Sequence, residues 1–181
     1  KVILITGGGT GIGAATALAC AKAGMNVLVT GRRAEPLERV TKLVCAEGVE
    51  GRWMSIDVAD DGAAQAMLDE TTRVFGHFDA VFANAGYGVE KPITALSEEE
   101  ITRMIEVNLL ATVFLLREAA ARLIELNQPG HLLACSSCLA KFTMPRMGLY
   151  SATKAGQNMI CRAMRLEHRP HGIEVSSVHP I

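Results

Sequence analysis

Five of the seven residues from Gly7 to Gly13 are glycine, and they lie between a strand-like run and a helix-like run. Thr6-Gly7-Gly8-Gly9-Thr10-Gly11-Ile12-Gly13 follows Val2-Ile3-Leu4-Ile5 and opens an alanine-rich stretch. Glycine permits the tight turn and the close backbone approach that such a junction requires. A helix starting there aims free N–H groups and the positive end of its dipole at the turn. The pattern predicts a phosphate cradle at the first strand-to-helix junction. Glycine strings are common in plain turns, so position gives this one its weight.

The alternation continues along the chain. Strand-like runs fall at 2–6, 26–30, 51–56, 79–83, 131–136 and 173–178. Helix-like runs fall at 11–23, 34–47, 60–75, 97–126 and 150–169. Strand and helix in strict turn predict an α/β fold with a parallel sheet and right-handed crossovers. Apolar residues make up 49% and aromatics only 4%, so Val, Ile, Leu and Ala must fill the core. That composition suits strands buried on both faces. Gly24, Gly48, Gly76 and Gly172 follow helices where left-handed caps belong. Ser97-Glu98-Glu99-Glu100 reads as a capping box. The segment 97–126 exceeds an ordinary globular helix and is expected to contain a break. With 181 residues and no linker, one domain spanning 1–181 is expected. The chain starts at Lys1 and stops after the sixth strand. A short leader, a further strand and a substrate-binding segment are expected beyond it.

Net charge is −1, which predicts neither nucleic acid nor an anionic membrane as partner. No apolar run is long enough to span a bilayer. The five cysteines sit mostly in apolar stretches, as reduced thiols do, so a cytoplasmic location is expected. Cys135 and Cys138 form a C-x-x-C, but it ends a strand and has no second pair to complete a zinc site. Packing is the better reading, and no metal is expected. His168 and His171 read as a solvated helix end.

The end of the second strand faces an adenosine ribose in glycine-cradle folds of this kind. A carboxylate there suits a free 2′-hydroxyl, whereas arginine suits a 2′-phosphate. This chain has Thr30-Gly31-Arg32-Arg33, which predicts NADP(H), with Arg32 the principal contact and Arg33 supporting. Tyr150 and Lys154 share one helix face. An ammonium beside a phenol favours the phenolate, so this tyrosine is expected to exchange protons near neutral pH. Ser137 can hydrogen-bond the same substrate oxygen. Together with a hydride carrier, these residues could interconvert an alcohol and a carbonyl.

Taken together, the motifs resemble the short-chain dehydrogenase/reductase family in its main single-domain branch. The resemblance spans nearly the whole chain. Thr6-Gly7-x-x-x-Gly11-x-Gly13 matches the cofactor motif, and Asn84-Ala85-Gly86 matches the element lying along the cofactor. Ala83 stands where the family usually has a second asparagine. The resemblance implies a three-layer, Rossmann-type, doubly wound parallel β-sheet with helices on both faces. It implies adenine contacts at Asp57 and Val58, and a catalytic tetrad of Asn108, Ser137, Tyr150 and Lys154. Lys154 would also hold the nicotinamide ribose, and Asn108 would link Lys154 to solvent through a water. A homodimer or homotetramer through 109–126 and the tyrosine-bearing helix is implied as well. Phe142, Met144 and Met147 are expected to form an apolar substrate wall. Two functions follow: an NADP(H)-dependent oxidoreductase, or an inactive dinucleotide-binding regulator of the same fold. The intact tetrad favours the first.

Overall fold

The structure, a computed structural model, describes residues Lys1–Ile181. The order is β1 (Val2–Thr6), α1 (Gly11–Lys22), β2 (Asn26–Gly31), α2 (Ala34–Ala46), β3 (Gly51–Ser55) and α3 (Ala63–Phe75). It continues with β4 (Ala80–Ala83), α4 (Glu98–Ile105), α5 (Ala111–Glu125), β5 (Gly130–Cys135), α6 (Gly148–His168) and β6 (Ile173–Val178). Every strand pairing is parallel, in the order β3-β2-β1-β4-β5-β6. The chain builds outward from β1 to β3, then crosses back to β4 and builds out to β6. Strand order therefore reverses between β1 and β4, where a crevice opens at the carboxyl ends.

Alternate strand residues feed two cores, as the pleat requires. Val2 and Leu4 join Leu28, Val81, Leu132 and Val175 beneath α3, α5 and α6. Ile3 and Ile5 join Val27, Val29 and Phe82 against α1 and α2. The parallel sheet expected from the alternation is present, as is the three-layer, doubly wound arrangement that the family resemblance implied. Burial of each such Leu or Ile side chain contributes about 1.5–3 kcal/mol.

The expected punctuation also forms. Gly24, Gly48, Gly76 and Gly172 adopt φ of +78°, +83°, +81° and +71°. Ser97 and Glu100 form the reciprocal capping box that opens α4. The segment 97–126 breaks through a π turn at Glu106–Leu110, which joins α4 to α5. α3 starts later than the sequence suggests, because Gly62 takes φ +74° before Ala63. α6 begins at Gly148, two residues ahead of Tyr150. No helix is long and apolar enough to cross a membrane.

Candidate active site

A cleft of about 960 Å³ lies over the carboxyl ends of β1 to β5. The glycine turn forms one end. Gly7 adopts φ +63°, and a Cβ on Gly13 would sit 2.3 Å from the Gly7 carbonyl oxygen. Only glycine fits there. Asn84 Nδ2 donates to the Thr6 carbonyl at 2.9 Å, and the Asn84 and Ala85 N–H groups donate to Thr6 Oγ1 at 3.0 Å each. These bonds staple the turn to the end of β4. Gly9, Thr10, Gly11 and Ile12 line the cleft, whereas Gly13 supports them from behind. Thr10 makes no side-chain cap, and the first turn of α1 carries no acidic residue. The helix N–H groups and dipole are therefore free to hold an anion.

Arg32 and Arg33, which follow β2, line the cleft beside the glycine turn, and neither forms an ion pair. Ser55 Oγ donates to the Arg32 carbonyl at 3.0 Å and steadies that loop. Asp57 and Val58 also line the cleft. One Asp57 oxygen accepts the Ala59 N–H at 3.1 Å, and the other pairs with Arg103 of α4. Arg103 has no local sequence signal, because the fold brings it across 46 positions.

Ser137 follows β5 and is 8% exposed. Its Oγ accepts the Leu139 N–H at 3.1 Å, and its own proton has only a long 3.9 Å contact with Cys138 Sγ, a weak acceptor that a substrate oxygen can replace. Ser136 Oγ donates to the Lys154 carbonyl at 2.8 Å and ties this turn to α6. Tyr150 and Lys154 lie one turn apart on α6 and face the cleft. Lys154 is 3% exposed. Its Nζ donates to the Cys135 carbonyl at 2.7 Å and lies 5.6 Å from the Tyr150 ring centroid. Burial lowers the Lys154 pKa, with the Cys135 thiol opposing, and burial pushes that thiol up.

Asn108 sits behind the cleft wall, fully buried in the π turn. Its Nδ2 donates to the Tyr87 carbonyl at 2.8 Å, and its Oδ1 accepts the Tyr87 N–H at 3.0 Å. It thus clamps the main chain just past Asn84-Ala85-Gly86. The Asn108 carbonyl in this π turn accepts from two side chains. Thr112 Oγ1 donates to it at 2.9 Å, and Gln157 Nε2 donates to it as well. A Cβ on Gly86 would lie 3.1 Å from Asn108 Oδ1 and 3.3 Å from Lys154 Nζ. Glycine leaves the room that brings these groups together. Sequence reading missed Tyr87 and Gln157. The only available signals were the adjacency of Tyr87 to Gly86 and a glutamine on the inward face of α6.

Beyond Ser137 and Tyr150 the wall is apolar. Leu139, Phe142, Met144 and Met147 line it, with Phe142 56% and Met144 53% exposed. All five cysteines are free, and no cluster of His, Cys, Asp or Glu is placed to hold a metal.

The family model described as short chain dehydrogenase matches residues 1–181. An uncharacterized oxidoreductase of Listeria monocytogenes is 30% identical over 178 residues, covering 98% of this chain and 71% of that protein. The crystal structure of NAD+-bound xylitol dehydrogenase is 29% identical, with a TM-score of 0.94, covering 99% of this chain and 69% of that one. An alcohol dehydrogenase from Thermococcus sibiricus, complexed with 5-hydroxy-NADP, is 32% identical with a TM-score of 0.90. That match covers 99% of this chain and 75% of its own.

Proposed function

The chain belongs to the short chain dehydrogenase family, and from that premise we propose that it is an NADP(H)-dependent oxidoreductase interconverting a carbonyl and a secondary alcohol. The observation that carries this reading is the shared cleft. It holds Tyr150 and the buried Lys154 from α6, Ser137 from the turn after β5, and the glycine cradle.

The residues fit a dinucleotide. The turn at Gly7–Gly13, closed to any side chain at Gly13, and the uncapped start of α1 would hold the pyrophosphate. The unpaired Arg32, with Arg33, would hold a 2′-phosphate. Asp57 and Val58 would border the adenine, and Asn84, Ala85 and Gly86 would run along the cofactor. When bound, NADPH supplies the hydride.

Tyr150 acts as general acid in reduction and general base in oxidation. Its phenolic proton passes to the carbonyl oxygen as the alcohol forms. Ser137 Oγ donates to that same oxygen and polarises it. The Lys154 ammonium stands beside the charge that Tyr150 acquires on giving up its proton. Lys154 would also hold the nicotinamide ribose of a bound cofactor, and Asn108 fixes the wall behind it through its bonds to Tyr87. Leu139, Phe142, Met144 and Met147 receive the apolar part of the substrate. Exposed Phe114 of α5 with Met159 and Leu166 of α6 support a homodimer or homotetramer.

The test is steady-state turnover of NADPH and NADH against a panel of ketones, aldehydes and secondary alcohols. Turnover with NADPH and a much lower kcat/KM with NADH is expected. Equal kcat/KM for the two cofactors would sink the NADP preference. Tight cofactor binding with no turnover of any carbonyl or alcohol would sink the enzyme reading.

A further inference from the structure

Ser137 and Tyr150 must reach one substrate oxygen, yet they ride on different elements. Ser137 belongs to the turn after β5, whereas Tyr150 belongs to α6. Two bridges join those elements. The first is the Ser136 hydroxyl on the Lys154 carbonyl. The second runs through residues that follow and end β6.

His179 Nδ1 lies 2.9 Å from the Ser137 carbonyl oxygen. A carbonyl only accepts, so Nδ1 carries the proton. His179 Nε2 lies 3.1 Å from Ser177 Oγ, which stands 3.1 Å from the amide oxygen of Asn158. Asn158 is 8% exposed and lies one turn beyond Lys154 on α6. Ser177 Oγ donates to the Asn158 amide oxygen and meets His179 Nε2 on its other side. The bonds run without interruption from the face of α6 that carries Tyr150 and Lys154 to the backbone of Ser137.

The Ser137 carbonyl has two acceptor directions, and both are used. The Ala140 N–H takes one at 3.0 Å, and His179 takes the other. On either side, the Ser136 N–H donates to the Val178 carbonyl at 2.9 Å and the Cys138 N–H donates to the Pro180 carbonyl at 3.0 Å. The Ser137–Cys138 peptide is thereby fixed. So is the short turn whose Leu139 N–H orients Ser137 Oγ.

The geometry points to His179, backed by Ser177 and Asn158, as a positioning residue for Ser137. It acts through the Ser137 peptide and sets the hydroxyl against Tyr150. This inference rests on the reductase reading, and wild-type turnover tests that reading before any variant is made. A misplacement of about 1 Å in such a pair costs on the order of a hundredfold in rate.

The experiment compares His179→Leu and His179→Asn, each in the wild-type and in the Ser137→Ala background. Asparagine places an N–H where Nδ1 stood, and leucine does not. His179→Leu is expected to lose about tenfold to a hundredfold in kcat, with the KM for NADPH within twofold. His179→Asn should recover most of that loss. In the Ser137→Ala background, His179→Leu should cost little more, because residues acting as one unit are not additive. Wild-type kcat in His179→Leu would overturn the proposal. So would equal impairment of the asparagine variant, or an undiminished loss in the Ser137→Ala background. Should His179→Leu fail to fold, Ser177→Ala leaves the imidazole in place. It should show the same pattern at a few-fold scale, and unchanged kcat there would count against the proposal.

Discussion

Lys154 carries a stability cost for the sake of its place. Its ammonium is almost wholly buried, with the Cys135 carbonyl as its hydrogen-bond partner. Burial lowers its pKa from the usual lysine value, so the folded state sheds this proton before the unfolded chain does. The penalty is therefore complete below the folded pKa and is relieved as pH rises through the folded value toward 10.5. Lys154→Met should abolish turnover yet stabilise the fold at neutral pH by about 1 kcal/mol. That advantage should shrink as pH rises toward the unfolded value. Denaturant melts across pH would show it, and a variant less stable than wild type at neutral pH would refute it. Arg32 is the second residue with a sharp consequence. Losing one charged hydrogen-bond partner of about 1.5–3 kcal/mol predicts a rise of roughly tenfold to a hundredfold in the KM for NADPH in Arg32→Ala. The KM for NADH should stay level, and parallel changes for both cofactors would reject the assignment.

At the scale of elements, the glycine turn is the part least able to change. A Cβ at Gly13 meets the Gly7 carbonyl oxygen at 2.3 Å, and backbone must move to admit it. Gly13→Ala should cost about 1–3 kcal/mol of stability and weaken NADPH binding at least tenfold, as read by melting and by fluorescence titration. Unaltered binding would mean the turn does not form the cradle. This turn was legible in the sequence because its cause is local: glycines at a strand-to-helix junction. The capping box at Ser97, the left-handed caps and the six strands were legible for the same reason. The break in 97–126 was legible from length alone, but not its form, since a π turn leaves no local residue signature. Its stabilisers are Thr112, four residues along, with Tyr87 and Gln157, which only the tertiary fold brings to Asn108. The Asp57–Arg103 pair and the contact of His179 with Ser137 were hidden likewise. Pairs tens of residues apart have no shared period to read.

The whole molecule turns one reversal of strand order into a site. Crossing from β3 back to β4 puts the carboxyl ends of β1 and β4 side by side, with the cleft above them. Family membership and the fold agree on that frame. The outer faces of α5 and α6 leave Phe114, Met159 and Leu166 exposed. If these faces join copies of the chain, sedimentation should report a dimer or larger, and Leu166→Glu should shift it toward monomer with NADPH binding intact. A wild-type monomer at micromolar concentration would reject that assembly. The central claim is that this cleft reduces a carbonyl with Tyr150 as proton donor. Its most direct test is kcat for Tyr150→Phe beside wild type at saturating NADPH, with NADPH affinity measured on both. A fall of about a hundredfold to ten-thousandfold in kcat is expected, with affinity held within a few-fold. Near-normal turnover in Tyr150→Phe would contradict it.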